Sequence, residues 1–253
     1  MGHAPWEGPG MPNDASPSRR SASAVERPDV PGGHEDPRPF WERPDTLERF
    51  ASMPVDEGVA RRFETAAPSR ILDLGCAAGR NAAWLAGRGH DVHALDASPV
   101  MVAHTRGRLA EHYPDADMRV RQADMRDLHV YEDASFDAVI AIGVLHIAPN
   151  IDAWRATVAS IARLLIPGGE TLIGHFTPVP TPGGEAPTPE PGNPHLYRSD
   201  LRGNARLLLH PHEIDAELAR VGLEPLTPTR ERPMKTVTGH GITTADAHHV
   251  KRT

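Results

Sequence analysis

The chain has 253 residues, of which 39% are hydrophobic, and its formal net charge is −7. This content suffices for a folded core, whereas the acidic balance argues against nucleic acid or an anionic membrane as partner, since both attract basic surfaces. The sequence contains no apolar stretch of membrane-spanning length and no N-terminal segment of the signal-peptide type. A lone cysteine, Cys76, cannot form an internal disulfide. We therefore expect a cytoplasmic protein that acts on a small molecule.

Residues 1–39 are rich in proline, glycine, serine and charge and show no apolar periodicity. Such a segment cannot bury enough apolar surface to offset the entropy of ordering. We predict a flexible tail, followed by a single domain over residues 40–253.

The first half of that domain alternates between strands and helices. An apolar run over residues 70–75 predicts a strand, and "RNAAWLAGRGH" after it has helical spacing. "DVHALDAS" predicts a second strand that ends at Asp96. The next helix has Ser98 as its N-cap and Pro99 at its first position.

The second half continues the alternation. "MRVRQAD", "FDAVIAIGVL" and "ETLIGHF" predict three further strands, with a helix over about 151–165 before the last of them. The proline-rich run 177–194 predicts a loop, because proline lacks an amide donor, and we expect a lid or substrate loop over about 177–206. A helix in "HPHEIDAELARVGL" and extended segments near 224–229 and 248–251 complete the pattern. Repeated strand–helix units indicate an α/β protein with a doubly wound parallel sheet.

In such a sheet, ligands bind beyond the carboxyl ends of the strands. The glycine turn after Asp73 lets backbone amides approach a ligand, and Asp96 stands at the offset suited to ribose hydroxyls. A dinucleotide site would need G-x-G-x-x-G, whereas this turn is Gly75-x-x-x-Gly79, and the preceding acid repels phosphate. An acid there favours a cation such as an ammonium. A ligand with a ribose and an amino-acid end is S-adenosylmethionine.

At these motifs the chain resembles the class I S-adenosylmethionine-dependent methyltransferases. The resemblance rests on "LDLGCAAGRNAAWLAGRGHDVHALDAS", "QADMRDL", "FDAVIAIGVLH" and "LLIPGGETLI", and the family usually has glycine where Ala77 stands. It implies a mostly parallel, seven-stranded Rossmann-like sheet with helices on both faces. "FWERPDTLERF" and "GCAAGRN" are similar to a bacterial small-molecule branch, the thiopurine and tellurite-resistance type methyltransferases.

The resemblance also implies roles for individual residues. The methionine end of the cofactor would contact Asp73 and the turn, and the ribose would contact Asp96. The adenine would contact Asp124 and Met125, and the sulfonium would lie beside Gly143. The full set implied for the cofactor is Asp73, Gly75, Cys76, Ala77, Gly79, Asp96, Ala97, Ser98, Met101, Asp124, Met125 and Gly143.

Each role has a structural alternative. Asp73 can accept hydrogen bonds from a loop, and Asp96 can cap a helix. Cys76 can be a small buried packing residue, and Asp124 can belong to a solvated turn. Arg80 and Asn81 open a helix and are interpreted as facing solvent.

The methyl acceptor requires alignment and, where it is protonated, a base. His146 is the candidate base, because imidazole accepts a proton near neutral pH, with packing as its alternative. Trp41, near Phe40 and Arg43, would either cover the cofactor or pack on the sheet edge. The candidate acceptor-binding residues are Trp41, His146, His175, His195, Tyr197 and Arg198.

We expect no metal site, since the spacing of His210, His212, His248 and His249 matches no zinc motif. The leading hypothesis is methyl transfer to an O, N or S nucleophile of a small molecule, including one of specialised metabolism. The alternatives are a nucleotide-cofactor oxidoreductase and a non-catalytic S-adenosylmethionine-binding protein. The sequence leaves the oligomeric state open.

Overall fold

The computed structural model describes residues 38–198, 205–236 and 239–252. Of the predicted tail, only the last two residues lie within these ranges. The strands are, in chain order, β1 (Arg70–Leu74), β2 (Asp91–Asp96), β3 (Val120–Gln122), β4 (Phe136–Ile142), β5 (Leu165–Phe176), β6 (Thr188–Glu190), β7 (Asn193–Arg198), β8 (Ala205–Leu207), β9 (Leu223–Lys235) and β10 (Gly241–Lys251). The α-helices are α1 (Pro44–Ala51), α2 (Glu57–Phe63), α3 (Arg80–Ala86), α4 (Pro99–Leu109), α5 (Ala116–Arg119), α6 (Ile151–Leu164) and α7 (Pro211–Ala219).

Seven of these strands form one sheet in the order β3-β2-β1-β4-β5-β10-β9. The first five pair in parallel, and β10 runs antiparallel to both of its neighbours. The predicted mostly parallel, seven-stranded α/β sheet is confirmed. Because strand order reverses beside β1, the carboxyl ends of β1, β2 and β4 meet at the edge where such sheets bind ligands.

The apolar core lies on both faces of this sheet. In β4, Ala138 and Ile140 pack with α3 and α4, whereas Val139 and Ala141 pack with α6 on the opposite face. Side chains of a strand alternate between faces, so a strand covered on both sides must be apolar at every position. The continuous apolar run of β4 therefore follows from its central place.

Helices α4 and α6 begin beside the binding edge, and each starts at a capping residue that the sequence supplies. The hydroxyl of Ser98 accepts a hydrogen bond from the amide of Met101, and Pro99 occupies the first position of α4, as predicted. Asn150 caps α6 in the same way, with Oδ1 accepting from the amide of Ala153 at 2.8 Å.

The proline-rich run 177–194 differs from the predicted continuous loop. Its second half contains β6, which pairs antiparallel with β7, and β7 pairs with β8 in a separate three-stranded sheet. β6 is an edge strand, where proline is tolerated because one side of the strand needs no ladder hydrogen bonds. The positive φ of 78° at Gly192 allows the intervening turn.

Other boundaries also differ. Met118 and Arg119 belong to α5, so β3 is shorter than "MRVRQAD" predicts. β9 and β10 extend well beyond the predicted segments 224–229 and 248–251, because they pair with each other along their length. Cross-strand pairing of this kind is not encoded in local periodicity.

Candidate cofactor and acceptor site

A cavity of about 530 Å³ opens at the carboxyl ends of β1, β2, β4 and β5. Its walls also include residues of α1 and of the β9–β10 pair. The volume lies in the range of small-molecule binding sites. Of the predicted cofactor-binding set, the residues that line this cavity are Gly75, Cys76, Ala77, Asp96, Ala97, Ser98, Asp124, Met125 and Gly143.

The turn after β1 brings its backbone against the cavity. Gly75 has φ of +73°, and a Cβ built there would lie 2.5 Å from Cγ2 of Val144. Gly79 has φ of +75°, and a Cβ built there would lie 2.8 Å from Oγ1 of Thr105. Ala77 between them adopts φ of 47°, and its carbonyl accepts a hydrogen bond from Oγ1 of Thr105 at 2.8 Å. Both glycines are required by the path of the backbone.

Asp96, at the end of β2, binds the turn from the neighbouring strand. Its Oδ2 accepts a hydrogen bond from the amide of Ala77 at 2.9 Å, and its Oδ1 accepts from the amide of Ser98 at 2.9 Å. Burial raises the pKa of the Asp96 carboxyl, and these amides oppose the rise. The carboxylate both fixes the turn and lines the cavity.

Asp73 lies in β1, beside Ala94 of β2 in the parallel register. It is only 2% exposed and is not among the described residues that line the cavity. Its Oδ2 is buried without a hydrogen-bond partner among them. Burial raises the pKa of Asp73 to about 7, against the attraction of the Arg80 guanidinium and a hydrogen bond from the amide of Ala82. A buried carboxylate with one unpartnered oxygen near a ligand cavity favours a cationic ligand group.

Asp124 and Met125 follow β3 and line the next part of the cavity. The carboxylate of Asp124 accepts hydrogen bonds from Nε and Nη2 of Arg126, both at 2.7 Å. This bidentate pair holds the pKa of Asp124 below its ordinary value. Asp124 therefore lies in a solvated turn, which was its structural alternative, and it also lines the cavity.

Gly143, after β4, has φ of +71° and open space where a Cβ would be. His146 follows in a 3₁₀ turn, Leu145–Ile147, and its ring stacks on Phe176 with centroids 3.7 Å apart. Its Nδ1 is buried without a hydrogen-bond partner in the described structure. Burial lowers the pKa of His146 well below its ordinary value, and His175 and the positive charge of Arg206 lower it further. At neutral pH the imidazole is therefore uncharged and has a lone pair.

Trp41 lines the cavity together with Phe40, Phe50 and Met53. Its carbonyl accepts a hydrogen bond from Oγ of Ser98 at 3.1 Å, and its ring lies 5.2 Å from that of Phe50. The N-terminal aromatic residues thus form a cavity wall over the start of α4. The covering role of Trp41 stays a prediction.

Six other candidates do not line the cavity within the described part of the chain: Gly79, Met101, His175, His195, Tyr197 and Arg198. Met101 is fully buried in α4. His175 is fully buried beside Trp154, and its Nδ1 donates a hydrogen bond to the carbonyl of Phe176 at 2.8 Å. The last three belong to β7, where Arg198 pairs with Glu190 at 3.0 Å and His195 lies 3.6 Å from Glu213. Pairing with β6 and β8 fixes these three side chains on the small sheet.

Arg80 and Asn81 were expected to face solvent, and this interpretation is wrong. Both line the cavity, and Asn81 is only 5% exposed. Nη1 of Arg80 donates to the carbonyl of Pro54 at 3.0 Å, and Oδ1 of Asn81 accepts from the amide of Asp56 at 3.0 Å. The residues between α1 and α2 cover them, a contact across more than twenty positions that no local pattern reveals.

Sequence reasoning also missed the outer wall of the cavity, which contains Asp56, Arg206, Arg232, Lys235 and Asp246. Nε of Arg232 donates to Oδ2 of Asp246 at 2.5 Å, and Nη2 lies 3.6 Å from Oδ2 of Asp56. Alternating charge on a long strand is ordinary for an exposed surface, so the sequence carries no signal for this pair.

The four histidines considered for a metal site lie near other side chains. Nε2 of His248 lies 2.8 Å from Glu170, and Nε2 of His249 lies 3.2 Å from Asp215. Among residues 38–198, 205–236 and 239–252, no group of three or more histidine, cysteine, aspartate or glutamate side chains is arranged to hold a metal ion. His210 instead caps α7, with Glu213 completing a capping box.

Comparison with known proteins identifies the core of this site. A family model described as a methyltransferase domain matches residues 71–169. Residues 71–169 are therefore similar to a methyltransferase domain. The matched segment begins in β1 and ends in β5, and it holds the glycine turn, both strand-end acids and His146.

Individual relatives agree with this family. The chain is 33% identical over 147 residues to the 27-O-demethylrifamycin SV methyltransferase of Amycolatopsis mediterranei, covering 57% of this chain and 52% of that protein. The chain therefore spans about half the length of the curated relatives it matches.

Solved structures share the fold. The 1,6-didemethyltoxoflavin-N1-methyltransferase of Burkholderia thailandensis superposes with a TM-score of 0.56 at 22% identity, over 78% of each chain. TehB of Haemophilus influenzae gives a TM-score of 0.57 at 16% identity, over 78% of this chain and 63% of that one. At these identities the likeness establishes the methyltransferase fold, and the narrower thiopurine and tellurite-resistance branch stays a prediction. In the part of the chain that the structure describes, no helix has the length and apolarity needed to cross a membrane.

Proposed function

We propose that this protein is an enzyme that binds S-adenosylmethionine and transfers its methyl group to an O, N or S nucleophile of a small molecule. The observation that carries the proposal is the turn at Gly75, which leaves no space for a Cβ and lies between the strand-end acids Asp73 and Asp96. Relatives named as O-methyltransferases support an oxygen acceptor first. A cytoplasmic location and a small-molecule acceptor in specialised metabolism belong to the same proposal.

The residues present fit this cofactor. The close approach of the turn leaves backbone amides at the cavity, and the unpartnered Oδ2 of Asp73 suits an ammonium group. Asp96 would accept hydrogen bonds from the ribose hydroxyls, and Asp124 with Met125 would meet the adenine. When bound, S-adenosylmethionine supplies a methyl group on a positively charged sulfur, which leaves with the electron pair of the broken carbon–sulfur bond.

The protein's part in the reaction is alignment and proton removal. Gly143, with no Cβ and open space beside it, lets the reacting groups lie close to the end of β4. His146, held by its stack on Phe176 and neutral at pH 7, takes the proton that an acceptor hydroxyl, amine or thiol loses as its new bond to carbon forms. His146 becomes an imidazolium and returns the proton to solvent. The aromatic wall around Trp41 excludes water.

The dinucleotide oxidoreductase hypothesis has less support. The turn lacks a third glycine, and the carboxylate of Asp73 beneath it would repel a pyrophosphate. The non-catalytic hypothesis differs from the leading proposal only in its prediction of no turnover.

Isothermal titration calorimetry tests cofactor binding. S-adenosylhomocysteine should bind at micromolar concentration, and NAD should not. Asp96→Asn should weaken S-adenosylhomocysteine binding by roughly tenfold to a hundredfold, because a hydrogen bond to a charged group contributes about 1.5–3 kcal/mol.

Asp91→Asn is the matched control, since Asp91 begins the same strand and lies outside the cavity wall of the described residues. Tight NAD binding, or equal losses in both variants, would contradict the cofactor assignment. Incubation with methyl-labelled cofactor and a panel of phenols, amines and thiols then tests turnover, and loss of label transfer in His146→Ala tests the base.

A further inference from the structure

Three buried ring nitrogens that lack a hydrogen-bond partner belong to neighbouring side chains. They are Nδ1 of His146, Nε2 of His175 and Nε1 of Trp154, and none has a partner among the described residues. The ring centroid of His175 lies 6.4 Å from that of His146 and 6.0 Å from that of Trp154. All three side chains are buried. An unpaired buried polar group is costly, so three beside one another point to a shared partner.

The hydrogen of His175 can be placed from its surroundings. This residue lies near the end of β5, where its backbone carbonyl accepts from Oγ1 of Thr244 at 3.0 Å and its Nδ1 lies 2.8 Å from the carbonyl of Phe176. A carbonyl only accepts, so Nδ1 carries the hydrogen. Burial lowers the pKa of His175 to about 4, and the ring is therefore neutral at pH 7. Its Nε2 is left as a buried acceptor.

The neighbouring groups are complementary to this acceptor. The indole nitrogen of Trp154 only donates, yet it makes no hydrogen bond to His175. With centroids 6.4 Å apart, the rings of His146 and His175 are also too distant for a direct hydrogen bond between their nitrogens. A water molecule bridges polar groups at such separations, and a buried water makes about three hydrogen bonds to otherwise unpaired groups.

We propose that Trp154, His175 and His146 hold one buried water, and that this network keeps the lone pair of His146 on Nε2. The water accepts hydrogen bonds from Nε1 of Trp154 and Nδ1 of His146, and it donates one to Nε2 of His175. The inference deepens the proposed function and rests on its assignment of His146 as the base. His175 is then a positioning residue, which acts on the acceptor only through His146.

The tautomer of His146 decides whether this residue can remove a proton. His146 lines the cavity while its Nδ1 is buried, so Nε2 is the nitrogen available to an acceptor. Nε2 takes up a proton only when the hydrogen of the neutral ring is on Nδ1. A neutral imidazole without such partners favours the opposite form. When Nε2 gains the proton, the hydrogen bond from Nδ1 to the water becomes charge-assisted, which stabilises the imidazolium until Nε2 returns the proton to solvent.

Nuclear magnetic resonance of the full chain measures this tautomer directly. Histidines are labelled with nitrogen-15, because protonated and unprotonated ring nitrogens differ widely in chemical shift. The signals of His146 are those missing from the spectrum of His146→Gln. In the parent protein at about pH 7.5, where the ring is neutral, Nδ1 of His146 should be protonated and Nε2 should not.

Two substitutions of His175 separate its acceptor from its volume. His175→Met removes the acceptor, so His146 should shift towards the form with hydrogen on Nε2. The single-turnover rate of label transfer, to whichever phenol, amine or thiol the parent protein methylates fastest, should fall roughly tenfold. The affinity for S-adenosylhomocysteine should change less than about twofold. His175→Gln supplies an acceptor oxygen, and it should restore both the tautomer and most of the rate.

His90→Met is the matched control. His90 is also a buried histidine, at 1% exposure, but it is not among the described residues that line the cavity. This variant should keep the His146 tautomer and the transfer rate of the parent protein. Circular dichroism and thermal unfolding establish that each variant is folded. A crystal structure of the parent protein should show one ordered water within about 3.2 Å of the three ring nitrogens.

The outcomes separate this inference from the proposed function. Hydrogen on Nε2 of His146 in the parent protein overturns the inference, as does hydrogen that stays on Nδ1 in His175→Met. A crystal structure in which no water joins the three rings overturns it too. Equal rate losses in His175→Met and His90→Met would reduce His175 to a packing residue. If the tautomer behaves as expected but no acceptor is methylated, the network stands and the proposed function fails.

Discussion

At the scale of single residues, the site is governed by carboxyl groups that are removed from water. Asp73 and Asp96 end neighbouring parallel strands, and burial raises the pKa of each. Asp96 is compensated by two amides, whereas Oδ2 of Asp73 has no partner among the described residues. The less satisfied acid is therefore the one whose charge state should respond most to a ligand.

This difference predicts a pH dependence of cofactor binding. With a pKa of about 7, Asp73 is largely protonated at about pH 6 and must lose its proton to attract an ammonium. We expect S-adenosylhomocysteine to bind roughly five- to tenfold more weakly at about pH 6 than at about pH 8. Binding near pH 6 should release a proton, which calorimetry in two buffers of different ionisation enthalpy measures.

Asp73→Asn provides the comparison. Its affinity should be lower than that of the parent protein at about pH 8 and nearly constant down to about pH 6. The same pH dependence in both proteins would assign the proton to another group, of which Asp96 is the nearest candidate.

At the scale of elements, the decisive feature is the turn between β1 and α3. Gly75→Ala places a Cβ against Val144 and imposes a positive φ on a side-chain residue. Gly89→Ala is the matched control, because Gly89 has φ of +82° but nothing within 4 Å of a built Cβ.

We expect Gly89→Ala to lower the free energy of unfolding by about 1–2 kcal/mol and to keep S-adenosylhomocysteine binding. Gly75→Ala should lose more stability and lose binding, since its neighbour is displaced into the cavity. Chemical denaturation and calorimetry on the same samples measure both. Equal effects of the two substitutions would mean that strain alone, without the contact to Val144, explains the glycine.

Some elements and contacts can be predicted from the sequence, whereas others cannot. Strands β1, β2 and β4 and the start of α4 follow from local signals, such as the apolar run of β4 and the Ser98–Pro99 cap. The place of Arg80 in the cavity wall does not follow from such signals, because its hydrogen-bond partner is the carbonyl of Pro54, 26 positions away. The pairing of β6 with β7 likewise depends on partners outside the proline-rich run. Contacts between distant segments, and hence the outer wall of the cavity, cannot be predicted from periodicity.

At the scale of the whole molecule, buried histidines link stability to pH. His175 is fully buried, and burial lowers its pKa to about 4 from 6.5. The folded state therefore keeps His175 neutral where the unfolded chain takes up a proton. Its stabilising contribution is complete above about pH 6.5 and is lost as the pH falls towards 4. His146, also lowered by burial, acts in the same direction.

We expect the free energy of unfolding to fall between about pH 7.5 and about pH 5, with about 2 kcal/mol of the fall due to His175. In His175→Gln the fall should be smaller by that amount, although the variant is less stable at both values. His112→Gln, at an exposed position of the chain, should keep the dependence of the parent protein. Urea denaturation at the two pH values measures the difference, and equal slopes in all three proteins would contradict the assignment.

The place of β10 has a consequence for biosynthesis. This strand is made late, yet it lies inside the sheet between β5 and β9, and it contributes Thr244 and Asp246 to the cavity. A nascent chain that has not yet delivered residues 241–251 leaves the edge of β5 uncovered, with its hydrogen-bonding groups open to other chains. On the ribosome, strands β1 to β5 would pair first, and the part of the cavity wall that contains Thr244 and Asp246 would wait for the closing strand.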